Sequence, residues 1–194
     1  GYNLVDWDNL FALVEKMGPQ LDERKNRFDK SDIFEQALEM MSGGALKWVD
    51  KVGWDHESRR EGTKMIVTHE CKSQKHCLRT KTGKKKETVS NIKIMNSLGS
   101  CSERSIEEII KFDNLLIIDT GNQKSFSAGV IKGSDITFKY LNVKTDGATL
   151  SQFPLSKVHM VYEKALAKTP SVAAFSYLDA KRRMQREMIK RFMQ

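Results

Sequence analysis

The run Asn114-Leu115-Leu116-Ile117-Ile118-Asp119 decides the fold, because four apolar residues stand between two polar ones and Gly121 follows shortly after. A short apolar run that ends at a turn residue is typical of a strand buried on both faces in the middle of a sheet. Phe126 to Lys132, and Ile136 to Val143 after Gly133-Ser134, repeat a β-rich pattern. We therefore expect a sheet with this run at its centre, continued by both later segments.

β-rich segments also precede the central run. Lys64 to Cys71 is one of them, and the turn-forming Glu61-Gly62 stands just before it. Asn91 to Met95 is another, and Ser105 with Glu108 three residues later has the pattern of a capped short helix. The chain from 46 to 145 is therefore predicted to form a sheet core.

Helical spacing of apolar residues marks the N-terminal part of the chain. Leu4 to Met17 predicts a first helix that ends at Gly18-Pro19. Asp32 and Glu35 have the spacing of a capping box for a second helix, which is expected to end at Gly43-Gly44. Residues 1–45 are therefore assigned to N-terminal helices.

A last helix is predicted from Thr169-Pro170 nearly to Gln194, with Met184, Met188, Ile189 and Phe192 on one face. Residues 156–194 are accordingly assigned to C-terminal helices. Helices, then strands, then helices predict an α/β fold: a single domain over residues 1–194 with a mixed central β-sheet flanked by helices.

Charged residues in the sheet core carry the chemistry. Glu70 and Lys72 are two apart in a predicted strand, so their side chains leave the same face. Asp55 lies fifteen residues before Glu70, about what a strand and a hairpin need to return to the same point. Converging carboxylates hold a hard cation such as Mg²⁺, which stabilises negative charge on a phosphodiester under attack. The lysine orients the attacking water, and can help to deprotonate it if its pKa is lowered.

Asp55 and Glu70-Cys71-Lys72 resemble the PD-(D/E)xK signature of type II restriction endonucleases, and the resemblance covers about residues 30 to 135. It implies a restriction-endonuclease-like fold in which Asp55, Glu70 and the Cys71 carbonyl are metal ligands and Lys72 is the catalytic lysine. Trp54 stands where the signature has proline, and Asp50 is a rival for the acidic position.

The resemblance also implies an accessory acid on the preceding helix, for which Glu35 and Glu39 are the candidates. The implied cofactor is Mg²⁺, with Mn²⁺ as its substitute. The implied activity is that of a hydrolase, a site-specific deoxyribonuclease that cuts duplex DNA at a short site as a homodimer. Related cores cut RNA, so an RNA substrate stays open.

The composition favours a polyanionic partner, since 33 Lys and Arg against 25 Asp and Glu give a net charge of +8. The runner-up function is therefore a non-catalytic basic module that binds DNA or RNA, with Glu70 and Lys72 as a surface pair. Phosphate contacts are predicted at Lys75, Arg79, Lys81, Lys84, Lys85 and Lys86, and base contacts among Arg104, Asn122, Gln123 and Lys124.

Cysteine usage and hydropathy bear on location. Three cysteines are an odd number, which favours a reducing compartment over a disulfide framework. No apolar run approaches the roughly 18 residues that cross a bilayer, and the chain opens without the pattern of a signal peptide. We expect a cytoplasmic protein with no membrane partner.

Two other constellations are weaker. His69, Cys71, His76 and Cys77 are residue types that bind zinc, but their spacing does not suit a common finger. Asp119-Thr120-Gly121 is the triplet of retroviral-type aspartic proteases, although the later motif of that family is interrupted by Lys132. The plainer interpretations are packing under the sheet and a strand that ends in a turn.

Overall fold

The computed structural model describes residues 1–23, 27–78, 88–95, 105–120, 125–165 and 177–193. Three long helices and two sheets make up these residues. In chain order the elements are α1 Trp7–Glu23, α2 Arg27–Met41, β1 Lys47–Lys51, β2 Trp54–Arg59, β3 Ile66–Gln74, β4 Ile92–Met95, α3 Ile106–Ile109, β5 Asn114–Asp119, β6 Ser125–Lys132, β7 Leu141–Lys144, β8 Gly147–Leu150, β9 His159–Ala165 and α4 Tyr177–Phe192.

The larger sheet has six strands in the order β1-β2-β3-β5-β6-β9. β3 and β5 run parallel, with His69 beside Asn114 and Gln74 beside Asp119. The other neighbours in this sheet are antiparallel. The apolar residues of β5 are at most 1% exposed, so the predicted central strand is confirmed. The chain is a single-domain α/β fold with a mixed sheet.

Helices cover one face of this sheet. Leu116 and Ile118 of β5 belong to an apolar cluster with Leu10 of α1, Leu38 of α2 and Met184 of α4. Side chains alternate across a strand, so every second residue of β5 meets this helical layer. Burial of these side chains is the main force that holds α1, α2 and α4 against the sheet.

The opposite face is covered by a second sheet, so the helices predicted to flank the central sheet pack on one of its faces. Leu115 and Ile117 of β5 pack with Ile92 of β4 and Leu150 of β8. These strands belong to a three-stranded sheet with the order β4-β8-β7. The strand predicted at Asn91 to Met95 therefore exists as β4, but it lies outside the central sheet.

The segment from Ile136 to Val143 does not continue the central sheet as predicted. β6 ends at a 3₁₀ turn, Gly133–Asp135, and Phe138–Tyr140 forms another before β7 begins. Gly133 lies so close to the chain at Phe112 that an added Cβ would be 2.3 Å from that carbonyl oxygen. This close approach directs the chain away from β6 toward the second sheet.

The edge strand β9 corrects the assignment of residues 156–194 to helices alone. β9 pairs antiparallel with β6, from Ser125 beside Ala165 to Val130 beside His159. Its Val161 and Tyr162 pack against the helical layer. Half-buried side chains on a strand at the sheet edge give a weak alternation, which helix-oriented spacing rules do not detect.

The N-terminal helices are longer than predicted. α1 continues through Gly18-Pro19, and α2 begins at Arg27, so Asp32 lies inside a helix and is not its cap. A proline removes one amide donor from a helix, and packing of α1 against α2 and α4 outweighs that loss here. α2 ends as predicted before Gly43 and Gly44, whose φ angles are +63° and +88°.

The C-terminal helix is observed as α4, whereas its predicted start at Thr169-Pro170 lies outside the described residues. The expected apolar face is divided, because Met184 is buried while Met188 and Ile189 are 40% and 57% exposed. Within the described residues, no helix is both long and apolar enough to cross a bilayer.

Candidate metal centre

The candidate metal centre lies where the antiparallel pairing of β2 with β3 ends. The antiparallel pairing runs from Arg59 beside Ile66 to His56 beside His69, and Asp55 is the next residue of β2. Asp55 accepts a hydrogen bond at its Oδ2 atom from the Cys71 amide, 2.8 Å away. The carboxylate of Asp55 thus occupies the edge of β3 at the level of Glu70 and Lys72.

A bulge in β1 brings a second carboxylate to the same place. β1 pairs with β2 at Trp48 beside His56 and again at Lys51 beside Trp54, and the register shifts between these pairs. Asp50 lies in this shift with φ of +45°, a conformation that Asp tolerates better than most side chains. Asp50, the rival for the acidic position, and Asp55 therefore both reach the centre.

Helix α2 supplies a third carboxylate. Glu35, Asp50 and Asp55 each offer an oxygen, and these oxygens lie within 4.8 Å of one another; we call these residues the acid group. Glu35 is buried, and its Oε2 accepts from the indole Nε1 of Trp48 at 2.9 Å. His56 Nε2 lies 2.7 Å from the Glu35 carbonyl oxygen and ties α2 to β2.

Glu70 and Lys72 lie beside the acid group and contact each other, with 3.0 Å between Lys72 Nζ and Glu70 Oε1. Burial first, and the Asp55 carboxylate next, raise the pKa of Glu70 to about 7 against the opposing effect of Lys72. Glu70 is thus poised to exchange a proton near neutral pH. Glu70, Lys72 and Asp55 are brought together as the spacing predicted.

Lys72 does not meet the condition for a general base. Burial lowers its pKa, but the Glu70 and Asp55 carboxylates outweigh burial and leave the pKa above its ordinary value. The ammonium therefore stays charged at neutral pH, which suits it to bind and stabilise negative oxygen atoms. Help from Lys72 in deprotonating the water was expected only with a lowered pKa and is not supported, while its orienting role stays a prediction.

The donor set fits a hard cation. Carboxylate oxygens are the ligands that Mg²⁺ and Mn²⁺ prefer, and their mutual repulsion falls when a divalent cation lies between them. The three oxygens of the acid group come from a helix, a bulge and a strand, so they are held by different parts of the fold. The group is the one such cluster within the described residues.

The other predicted site residues are placed as follows. Glu39 does not join the acid group, because it accepts from the Trp48 amide at 2.9 Å and forms an ion pair with Arg191. The Cys71 side chain is buried in the helical layer, and its carbonyl as a metal ligand stays a prediction. Lys75 lies exposed in the turn after β3. Outside the described residues lie Arg79, Lys81, Lys84, Lys85, Lys86, Arg104, Asn122, Gln123 and Lys124.

The zinc interpretation receives no support from the histidine and cysteine geometry. Both ring nitrogens of His69 have partners, the hydroxyl of Tyr2 at Nδ1 and that of Ser58 at Nε2. Cys77 Sγ lies in hydrogen-bonding contact with the Gln74 carbonyl oxygen. These side chains pack beneath the strands, which agrees with the alternative prediction of packing under the sheet.

The protease interpretation of Asp119-Thr120-Gly121 is likewise replaced by a structural one. Asp119 is fully buried, and its two oxygens accept from the amides of His76 and Leu78, each at 2.9 Å. The side chain thereby holds the turn after β3 against the end of β5. A carboxylate whose oxygens accept backbone amides is typical of a capped turn.

Trp48 and Arg191 are the residues at this centre that sequence reasoning missed. Trp48 precedes the bulge and Arg191 lies in α4, 143 residues away. No local pattern marks either residue, because each acts through a contact between distant elements. No family model, curated protein or solved structure matches the chain.

Proposed function

We propose that this protein is a Mg²⁺-dependent endonuclease that hydrolyses phosphodiester bonds of duplex DNA. The observation that carries the proposal is the meeting of the acid group with the Glu70–Lys72 pair at the end of the β2–β3 ladder. The α/β fold with its mixed sheet is compatible with a restriction-endonuclease-like core. Mg²⁺, or Mn²⁺ in its place, would be held by Asp55, Glu70 and their neighbours.

The bound cation would act as a Lewis acid and stabilise negative charge on the phosphodiester oxygens. Asp55 is kept in place for this task by the Cys71 amide, and Glu35 by the Trp48 indole. Such fixed ligands lower the reorganisation that the reaction needs.

Lys72 and Glu70 would act on the reacting atoms. The charged Lys72 ammonium donates hydrogen bonds to the attacking water and to a phosphate oxygen. The water oxygen forms a bond to phosphorus as the bond from phosphorus to the leaving sugar oxygen breaks. Glu70 would help to hold the cation that lowers the pKa of the attacking water, and the proton that the water releases would pass to bulk water.

Duplex DNA is the proposed substrate because the net charge of +8 favours a polyanion. Cutting at a short specific site by a homodimer follows from the resemblance to restriction endonucleases. The competing proposal is a nucleic-acid-binding module that does not cut. In that case the Glu70–Lys72 contact is a structural ion pair, as the Lys51–Glu57 contact at 2.6 Å is.

The test is incubation of the purified chain with a large, sequence-diverse plasmid or phage DNA, with Mg²⁺ or with EDTA, followed by gel electrophoresis. We expect discrete fragments with Mg²⁺ and intact DNA with EDTA. Glu70→Ala and Lys72→Ala should abolish cleavage and leave DNA retention largely unchanged.

The matched controls are Glu57→Ala and Lys51→Ala, which break a neighbouring Glu–Lys pair on β1 and β2 and should leave cleavage intact. Cleavage retained in Glu70→Ala or Lys72→Ala would move the catalytic site elsewhere. Intact DNA in every lane, with a band shift that weakens as salt rises, would establish the binding module instead. Cleavage of RNA but not DNA under the same conditions would correct the substrate.

A further inference from the structure

Two glutamates on α2 contact different groups although they lie one helical turn apart. Glu35 belongs to the acid group, whereas Glu39 forms an ion pair with Arg191. Residues four apart share a face of a helix, so the helix alone does not distinguish the two carboxylates. Trp48 contacts both: its amide donates to Glu39 and its indole Nε1 donates to Glu35, each at 2.9 Å.

The two donors differ in charge, and this difference matters for a cation site. An indole N–H is a neutral donor, so it fixes the Glu35 carboxylate without cancelling its negative charge. The Arg191 guanidinium does cancel the charge of Glu39. Since a carboxylate has two oxygens and about four acceptor positions, the bond from Trp48 to Oε2 does not by itself prevent Glu35 from binding a cation.

Trp48 is itself held from the opposite side. The guanidinium of Arg191 lies over the indole ring at 5.2 Å from its centroid, and its Nη1 donates to the Trp48 carbonyl at 3.3 Å. Arg191 is thus an anchor from α4 that restricts the ring by stacking and by a backbone hydrogen bond. The chain of contacts runs from Arg191 through Trp48 to Glu35.

We propose that Trp48 is a positioning residue of the metal centre, which holds Glu35 toward the cation, and that Arg191 of α4 fixes Trp48 for this task. The inference rests on the proposed cation site, and it adds a determinant that lies outside the carboxylate set. Outer partners of metal ligands typically contribute about 10- to 100-fold in metal affinity. We therefore expect Trp48→Phe, which keeps an aromatic ring and removes the donor, to weaken Mn²⁺ binding about tenfold.

The measurement is isothermal titration calorimetry of the full chain with Mn²⁺. The matched control is Trp54→Phe, because the Trp54 indole also donates to a carboxylate, that of Glu57 at 3.0 Å, outside the acid group. We expect Trp54→Phe to bind Mn²⁺ as the wild type does. Equal affinity in Trp48→Phe and wild type, or equal weakening in both variants, would overturn the inference.

A double-mutant cycle separates positioning from a structural role. Once Glu35→Gln has removed the charged ligand, Trp48→Phe should cost no further Mn²⁺ affinity if it acts through Glu35. The same tenfold loss in the Glu35→Gln background would mean that Trp48 supports the fold only, and would overturn the inference.

If Trp48→Phe shows no cooperative thermal transition, and therefore does not fold, Arg191→Met is used in its place. Arg191→Met removes the guanidinium that stacks on the Trp48 indole. Mn²⁺ affinity should fall about threefold, which is less than the loss for a direct partner of a ligand. Unchanged affinity would overturn the inference. A wild-type chain that binds no Mn²⁺ would instead overturn the proposed function, which makes the two failures distinguishable.

Discussion

Asp119 and Asp55 are aspartates at strand ends of the same sheet, yet their surroundings differ. Asp119 lies at the end of β5 with both oxygens bound to backbone amides. Asp55 accepts from the Cys71 amide and lies near the carboxylates of Glu35 and Asp50, with Glu70 beside them. The first arrangement satisfies a charge inside the protein, whereas the second gathers like charges.

The difference teaches how to separate structural from functional carboxylates in this fold. Burial is the larger cause of the raised pKa of Glu70, and the like charge of Asp55 adds to it, because crowding of like charges disfavours the ionised state. Such repulsion disfavours the cation-free chain, and a divalent cation at the proposed site would relieve it. Asp119 needs no ion, since backbone dipoles already meet its charge. Changes at the two aspartates should therefore have opposite consequences.

The largest expected effect is at Asp55. Asp55→Asn removes a charged ligand and should lower Mg²⁺-dependent cleavage by about a thousandfold or more, since metal and electrostatic contributions of this kind reach that size. The free energy of unfolding in EDTA should stay equal or rise, because one like charge is gone. Cleavage rates and thermal unfolding of the same preparation check both. A variant that loses activity together with stability would remove the contrast with Asp119.

A second expected effect is stabilisation by the cation. Mg²⁺ at 100 times its dissociation constant should raise the free energy of unfolding by about 2.7 kcal/mol. Thermal unfolding with Mg²⁺ and with EDTA measures it. Asp119→Asn should retain the increase and Asp55→Asn should lose it. An equal response in both variants would mean that the ion binds away from the acid group.

A third and somewhat smaller effect concerns stability alone. Asp119→Asn replaces one acceptor oxygen by an NH₂ donor, so one of the amides of His76 and Leu78 loses its partner. The loss of such a charge-assisted bond should lower the free energy of unfolding by about 2 kcal/mol. Urea denaturation checks the size, and an unchanged midpoint would show that the turn after β3 does not depend on Asp119.

Sequence patterns within one segment predicted the features of the fold that follow from the backbone geometry of that segment. The apolar run of β5 and the alternation of Glu70 and Lys72 gave a central strand and a shared face, since strand periodicity follows from backbone geometry. Ser105 is also observed as the cap of α3, accepting from the Glu108 amide at 3.3 Å. The second sheet was missed, because strand patterns do not reveal which sheet a strand joins.

The candidate site was only partly predictable for the same reason. Spacing placed Asp55 near Glu70, but the family resemblance gave equal weight to Glu35 and Glu39 as the accessory acid. What distinguishes them is Arg191, which reaches Glu39 from α4 and depends on tertiary packing. The position of Asp50 depends on a bulge in β1, a strand that the sequence did not reveal. Contacts between distant elements thus decide which acids meet.

The smallest expected effect, at most about 0.7 kcal/mol between neighbouring points half a pH unit apart, compares the two faces of β3 in the pH dependence of stability. Glu70 has a pKa raised from 4.5 to about 7 by burial first and by Asp55 next, with Asp50 adding to it and Lys72 opposing it. His69, on the opposite face, has a pKa lowered from 6.5 to about 4 by burial first and by His56 next. Between pH 4.5 and 7 the folded chain retains a Glu70 proton that the unfolded chain has released. Stability from Glu70 therefore falls as pH rises, by at most about 1.4 kcal/mol per pH unit.

His69 contributes with the opposite sign, because between pH 4 and 6.5 the unfolded chain holds a proton that the folded chain lacks. In the wild type the contributions of Glu70 and His69 to the pH dependence of the free energy of unfolding oppose each other, so the total pH dependence does not reveal either one. Glu70→Gln removes the Glu70 slope. The free energy of unfolding of Glu70→Gln in EDTA, minus that of the wild type, should therefore increase from about pH 4.5 to 7 and stay constant above pH 7. Urea denaturation at half-unit pH intervals measures this difference, from which the His69 contribution cancels. A difference that stays constant across the range would mean that Glu70 keeps its ordinary pKa, and the contrast between crowded and satisfied carboxylates would then lose its electrostatic basis.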